Sequence, residues 1–217
     1  MSWLDRMPRK TPALRVKRLL DVAVSASGLV VLSPLLVGLT AAGTLAHGWP
    51  PLFAQTRPGI GGRLFRMRKL RTMTDARDGA GRLLPDDERL TRYGALLRAT
   101  SLDELPELWH VLRGDMSLVG PRPLLARYLE RYSERQTRRH AMPPGITGWA
   151  QVNGRNSVDW ERRLEMDVWY VENWSLGLDL RILVRTAGQV LRREGISEAG
   201  SATMSEFMGS PERSCAS

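Results

Sequence analysis

Two adjacent carboxylates, Asp103 and Glu104, stand in the run S-L-D-E-L-P-E-L at 101–108. Paired acids can hold Mg2+ through oxygen, with phosphates completing the shell. A carboxylate can also attack phosphorus and form an acyl phosphate. The ordinary alternative is a capping box, with Ser101 as N-cap and Glu104 three residues on. Pro106 opposes its simple form, because it would then fall inside the helix, where its ring clashes with the preceding turn. Proline is favoured at a first helical position. A helix starting near Pro106 leaves Asp103 and Glu104 just ahead of an N-terminus, whose free N–H groups favour anions.

Phosphate chemistry needs cations near those acids. Lys69, Arg71, Arg98, Arg122 and Arg155 are the candidates, although each taken singly is first a solvated surface charge. Arg122 is set apart by Pro121 and Pro123, which restrict its backbone. A rigid guanidinium fork suits a phosphate or a planar base.

The elements that must position these groups begin with one long apolar segment. Residues 22–56 contain no Asp, Glu, Lys or Arg, and a bilayer span takes about 20 apolar residues. Arg9, Lys10, Arg15, Lys17 and Arg18 precede it; Arg57, Arg63, Arg66, Arg68, Lys69 and Arg71 follow. Basic flanks favour the cytoplasmic side, and here both ends ask for the same side. Pro34 predicts a kink, with Ser33 able to hydrogen-bond a freed carbonyl. Residues 15–47 therefore read as a broken, re-entrant helix; a kinked straight span and a buried core helix are the alternatives.

Downstream, P-G-I-G-G at 58–62 predicts the turn of a hairpin over 51–72. Residues 74–89 read as a polar loop, and helices are expected near 90–98 and 105–113. Residues 114–123 read as a turn leading into a rigid loop, 124–139 as a charged helix with an exposed basic face, and 143–148 as another loop. Two last helices are expected over 159–174 and 178–193. Trp149, Trp160, Trp169 and Trp174 suit either a membrane boundary or ordinary core packing. The fold class is mostly α with a small β-hairpin: a membrane helix, interfacial amphipathic helices and a cytoplasmic catalytic domain.

A formal charge of +9 suits an anionic partner. The mixed-sign stretch at 127–140 fits a solvated or lipid-facing helix, and no nucleic-acid fold signature is present. A single cysteine, Cys215, gives no disulfide framework, and three scattered histidines give no zinc motif.

The chain resembles the small monotopic phosphoglycosyl transferases, the bacterial sugar transferase family. The resemblance rests on K-R-L-L-D at 17–21, Ser33-Pro34, F-R-M-R-K-L-R-T-M at 65–73, the run from Ser101 to Pro123, and P-G-I-T-G-W-A-Q-V-N-G-R-N at 144–156. It implies transfer of a phosphosugar from a UDP-sugar to polyprenyl (undecaprenyl) phosphate at the inner membrane, the first membrane step of glycoconjugate or polysaccharide assembly. Asp103 would be the nucleophile, and Glu104 would help bind Mg2+. Lys69, Arg98, Arg122 and its flanking Pro121 and Pro123, with Arg155, would hold phosphates or uridine. A loose likeness of the C-terminal segment points to N-acetylated amino sugars. The rival readings are direct attack by the lipid phosphate without a covalent intermediate, and a non-catalytic basic membrane-surface module. Expected boundaries are 1–50 for the basic N-terminus and membrane helix, 51–200 for the catalytic domain and 201–217 for a tail, with Pro211–Ser217 disordered. An embedded enzyme of this size could form a homodimer through its helices.

Overall fold

The computed structural model describes residues 2–7, 11–154, 158–192 and 206–209. Arg9, Lys10, Arg155, Cys215 and the expected disorder of Pro211–Ser217 lie outside the described residues. The chain opens on a 3-10 turn, Trp3–Arg6, closed by a capping box between Ser2 and Asp5. This turn buries Trp3 completely against Leu14, Ile60 and Met142.

Helix α1, Pro12–His47, starts at a proline, which has no N–H to satisfy, and Thr11 as N-cap accepts from Leu14 N at 3.3 Å. It is a single continuous helix, which corrects the expected break at Ser33–Pro34. Pro34 deprives the Val30 carbonyl of its helical donor. Ser33 Oγ donates to that oxygen at 2.8 Å, so the lost bond is replaced from within and the helix continues. Val30, Val31 and Val37 are 73 %, 74 % and 69 % exposed, whereas Lys17 and Asp21 near the start are 3 % and 2 %. Only 6 % of the most apolar 18-residue stretch is buried, so α1 does not behave as a core helix.

Both ends of α1 are nevertheless attached to the globular body. At the start, Arg18 donates to the carbonyls of Val111 and Leu112 at 2.6 and 2.7 Å. Near the end, Tyr93 OH donates to the Leu39 carbonyl at 2.6 Å, and His47 Nε2 lies 2.9 Å from Thr91 Oγ1.

The expected hairpin forms from β1, Leu52–Pro58, and β2, Leu64–Leu70, paired antiparallel with Leu52 opposite Leu70 and Pro58 opposite Leu64. Gly61 and Gly62 take positive φ in its turn, a conformation glycine adopts without steric cost. After a loop come α2, Asp86–Arg89, and α3, Arg92–Thr100, capped by Thr91. Next is α4, Glu107–Arg113, with Pro106 at its N-cap.

The segments 114–123 and 143–148, expected as loops, each contain a short strand. Strand β3, Ser117–Val119, pairs in parallel with β4, Gly145–Thr147. A Cβ on Gly145 would stand 2.1 Å from the Gly120 nitrogen, so the two backbones approach as closely as they do only because both positions are glycine.

The single charged helix expected over 124–139 is three pieces: a 3-10 turn Ala126–Arg131, α5 at Glu134–Thr137, and a 3-10 turn Arg138–Ala141. Ser133 and Gln136 form a capping box that restarts the chain as α5. Leu124, Tyr128, Tyr132 and Arg139 are buried, so this segment is not a solvated basic face throughout.

The chain continues as α6, Trp149–Val152, α7, Trp160–Glu172, and α8, Leu176–Arg192. Trp149 stacks on Trp169 at 4.9 Å, while Trp160 and Trp174 pack against core clusters. Trp169, Trp109 and Trp49 are the exposed ones. Phe207 docks against Tyr128, Tyr132 and Leu164, so part of the C-terminal tail belongs to the core.

Candidate active site

The geometry around Asp103 begins with how the chain reaches it. Helix α3 ends at Ser101, whose backbone is left-handed and whose N–H caps the Arg98 and Leu97 carbonyls. Its side chain makes no cap bond to the next turn, which rules out the capping box. A non-glycine residue at positive φ is uncommon; here it turns the chain sharply into the 3-10 turn Leu102–Glu104 and then α4. Asp103 and Glu104 thus precede a helix led by Pro106, as the proline argument expected.

Asp103 is buried, and Lys69 Nζ on β2 lies 3.9 Å from its Oδ2. Burial first, and then the like charge of Glu104, push the Asp103 carboxyl above the usual range; Lys69, Arg122 and Arg98 pull the other way. Burial lowers the Lys69 ammonium in turn, with Asp103 opposing. Each group is held short of full charge comfort, as at a site built for a charged ligand.

Arg122 grips Glu104 through both carboxylate oxygens and reaches the Ile146 carbonyl at 3.3 Å. The attraction to Glu104 raises the Arg122 guanidinium. Arg98 lines the same region and donates from Nε to Thr72 Oγ1 at 3.1 Å. A cavity of about 530 Å3 opens here. Arg98, Glu104, Arg122 and Arg163 bring charge to its wall, and Leu105, Leu108, Ile146 and Val190 supply apolar surface. Arg71 is not part of this cluster: it pairs with Asp75 and donates to the Met73 carbonyl. Pro121 and Pro123 flank Arg122, and the Pro121 carbonyl accepts from Gly145 N at 3.1 Å.

Three members escaped the sequence reading. Arg57 on β1 is lowered to about 10 by burial and by neighbouring Arg122. Arg163 reaches the cavity from α7. Glu107, the first residue of α4, is buried; its Oε1 finds no hydrogen-bond partner among the described residues. Its place directly after Pro106, at the start of α4, was the available signal.

Burial, and then Glu104, push the Glu107 carboxyl up to about 8. Below pH ~4.5, the ordinary glutamate value, folded and unfolded chains both hold this proton and burial carries no pH-dependent cost. Between there and about 8 the unfolded chain ionises first, so stability falls as pH rises. Glu107→Gln keeps the shape without the titration. It is expected to raise the unfolding midpoint by a few degrees at pH 7.5 and hardly at all at pH 5. Thermal melts at the two pH values check this, and a larger gain at pH 5 would refute it.

No group of three or more His, Cys, Asp or Glu side chains is arranged around a common metal position among the described residues. Mg2+ commonly takes only one or two carboxylates and completes its shell with water and substrate phosphates; here both Glu104 oxygens are engaged by Arg122.

Comparison with known proteins matches the sequence to a family. The pattern described as bacterial sugar transferase covers residues 12–193. The chain is 52 % identical over 195 residues to the uncharacterized sugar transferase EpsL of Bacillus subtilis, spanning 90 % of this chain and 96 % of that one. It is 44 % identical to the UDP-glucose:undecaprenyl-phosphate glucose-1-phosphate transferase of Caulobacter vibrioides, over 85 % of this chain and 73 % of the relative. It is 42 % identical to the undecaprenyl-phosphate galactose phosphotransferase of Salmonella typhimurium, where the match spans 83 % of this chain but 41 % of the relative's length. With the carboxylate pair, its cations and the apolar helix all inside the matched region, the chain belongs to the bacterial sugar transferase family.

Proposed function

We propose that this enzyme transfers a sugar 1-phosphate from a UDP-sugar to polyprenyl phosphate through a covalent intermediate on Asp103. The observation that carries the proposal is the placement of buried Asp103 between Lys69 and Glu104, beside a cavity walled by Arg98 and Arg122. An Asp103 oxygen attacks the phosphorus that bears the sugar. The bond from that phosphorus to the bridging oxygen breaks, and UMP leaves with the electron pair. An oxygen of the lipid phosphate then attacks the same phosphorus, the acyl phosphate bond breaks, and Asp103 is restored. Lys69, Arg98 and Arg122 hold phosphate oxygens, and the position of Arg155 in the quoted motif gives it the same role. Mg2+ held by Asp103 and Glu104 would offset the negative charge of the diphosphate.

The attachment of both ends of α1 to one body supports a helix that sits in the cytoplasmic leaflet of the inner membrane bent at Pro34 rather than broken there, since the two basic flanks then share a side. Helix α8 exposes Leu180, Leu183 and Val184 beside exposed Arg181, which suits a helix lying in the headgroup boundary. Pairing of two copies would use the same apolar surfaces.

UMP release is to be measured in nanodiscs with undecaprenyl phosphate, Mg2+ and a panel of UDP-glucose, UDP-galactose and N-acetylated amino-sugar donors. Release with one donor, lost with EDTA, is the expected result. Exchange of labelled UMP into the UDP-sugar without lipid is also expected. Release that occurs only with lipid and no exchange without it would favour direct attack instead.

A further inference from the structure

The loop that carries Arg122 lacks the usual means of holding itself in place. Pro121 and Pro123 have no backbone N–H, so donors from elsewhere must fix it. Gly145 N supplies one, to the Pro121 carbonyl. The other comes from a side chain. Arg139 Nη2 donates to the Arg122 carbonyl at 2.7 Å and to Asp167 Oδ2 at 2.6 Å, and Arg139 Nε donates to the same Oδ2 at 3.1 Å. Tyr132 lies against the guanidinium, with its hydroxyl 3.5 Å from Nη1 and its ring 5.7 Å away. Arg139 and Asp167 are each 2 % exposed.

We propose that Arg139, held by Asp167, is a positioning residue that aims Arg122 at Glu104 and the cavity. A buried ion pair is poor value for stability alone, because two apolar side chains of similar volume commonly do as well. What apolar side chains cannot do is donate to a backbone carbonyl. Here that carbonyl belongs to the residue whose side chain closes on Glu104. The chain of contact runs Asp167, Arg139, Arg122 backbone, Arg122 side chain, Glu104. None of the first three groups in it needs to touch the substrate. The choice of assay rests on the transferase reading; the contact itself does not.

The test is a double-mutant cycle. Arg139→Met is expected to lower kcat/KM for UMP release by roughly 30-fold when Arg122 is present and by less than about threefold in an Arg122→Ala background, because residues acting through one another are not additive. Equal losses in the two backgrounds would show a purely structural role and overturn the proposal. If Arg139→Met is too unstable to assay, Arg139→Met/Asp167→Leu removes both charges together. It is expected to unfold near the parent temperature while keeping the activity loss; full activity in that folded variant would overturn the proposal equally. The same cycle read on unfolding midpoints needs no donor sugar. Non-additive shifts there support the coupling even if no UDP-sugar releases UMP, an outcome that would sink the transferase reading alone, whereas additive shifts overturn the positioning role whatever the reaction.

Discussion

Asp103→Asn is expected to lose at least about 10^3-fold in UMP release while folding as well as the parent. The amide keeps the size and planarity of the carboxylate but cannot form an acyl phosphate, so neither half of the transfer has a route. Lys69 loses its charged neighbour at 3.9 Å. Burial already disfavours the charged Asp103 carboxyl, so a neutral replacement removes a desolvation cost and should leave the unfolding midpoint unchanged or slightly raised. Radiolabelled sugar phosphate should be trapped on the parent protein in the absence of lipid and not on the variant. A variant that keeps more than about a tenth of the activity would eliminate Asp103 as nucleophile.

Lys17→Met is expected to cost about 3–5 kcal/mol, the usual consequence of breaking a buried ion pair from one side. Lys17 Nζ donates to Asp179 Oδ2 at 2.7 Å and to the Val119 carbonyl at 2.9 Å. Tyr170 OH and Trp174 Nε1 complete the shell of Asp179 at 2.7 and 3.1 Å. The variant leaves that carboxylate buried with neutral donors only. Four residues on, Asp21 accepts from Ser117 Oγ and Leu118 N at 3.1 and 3.0 Å. One face of α1 thus fixes β3, which leads directly to Arg122. The unfolding midpoint in detergent should fall by about 10 °C. A fall of less than a degree or two would mean that Asp179 is satisfied without its cation.

The parts legible from the sequence were those with local causes. P-G-I-G-G turns a hairpin because its glycines can, and Pro106 starts α4 because its ring forbids a place further in. The family resemblance named Lys69, Arg98 and Arg122 as cations of the site that holds Asp103 and Glu104; that Lys69 stands by Asp103 and Arg122 closes on Glu104 came from the structure alone. The rest depended on distant partners. Strands β3 and β4 are three residues each, too short to show alternation. The division of 124–139 was signalled by S-E-R-Q at 133–136, a capping box overlooked in favour of continuous charge. Arg139 looked like one more surface arginine because Asp167 and the Arg122 carbonyl, which bury it, lie 28 and 17 residues away.

The way α1 is built in limits how the protein can be handled. Its middle turns are bare valine and leucine, yet its first turns carry Leu14, Lys17 and Asp21 into the interior. Cutting the helix away to obtain a water-soluble fragment would leave Asp179 without its cation, take from Ser117 Oγ and Leu118 N their acceptor, and open the Trp3 cluster. Extraction with an amphiphile that coats residues 29–38 keeps those bonds, whereas replacing the exposed valines and leucines there with polar residues offers a soluble form that truncation does not.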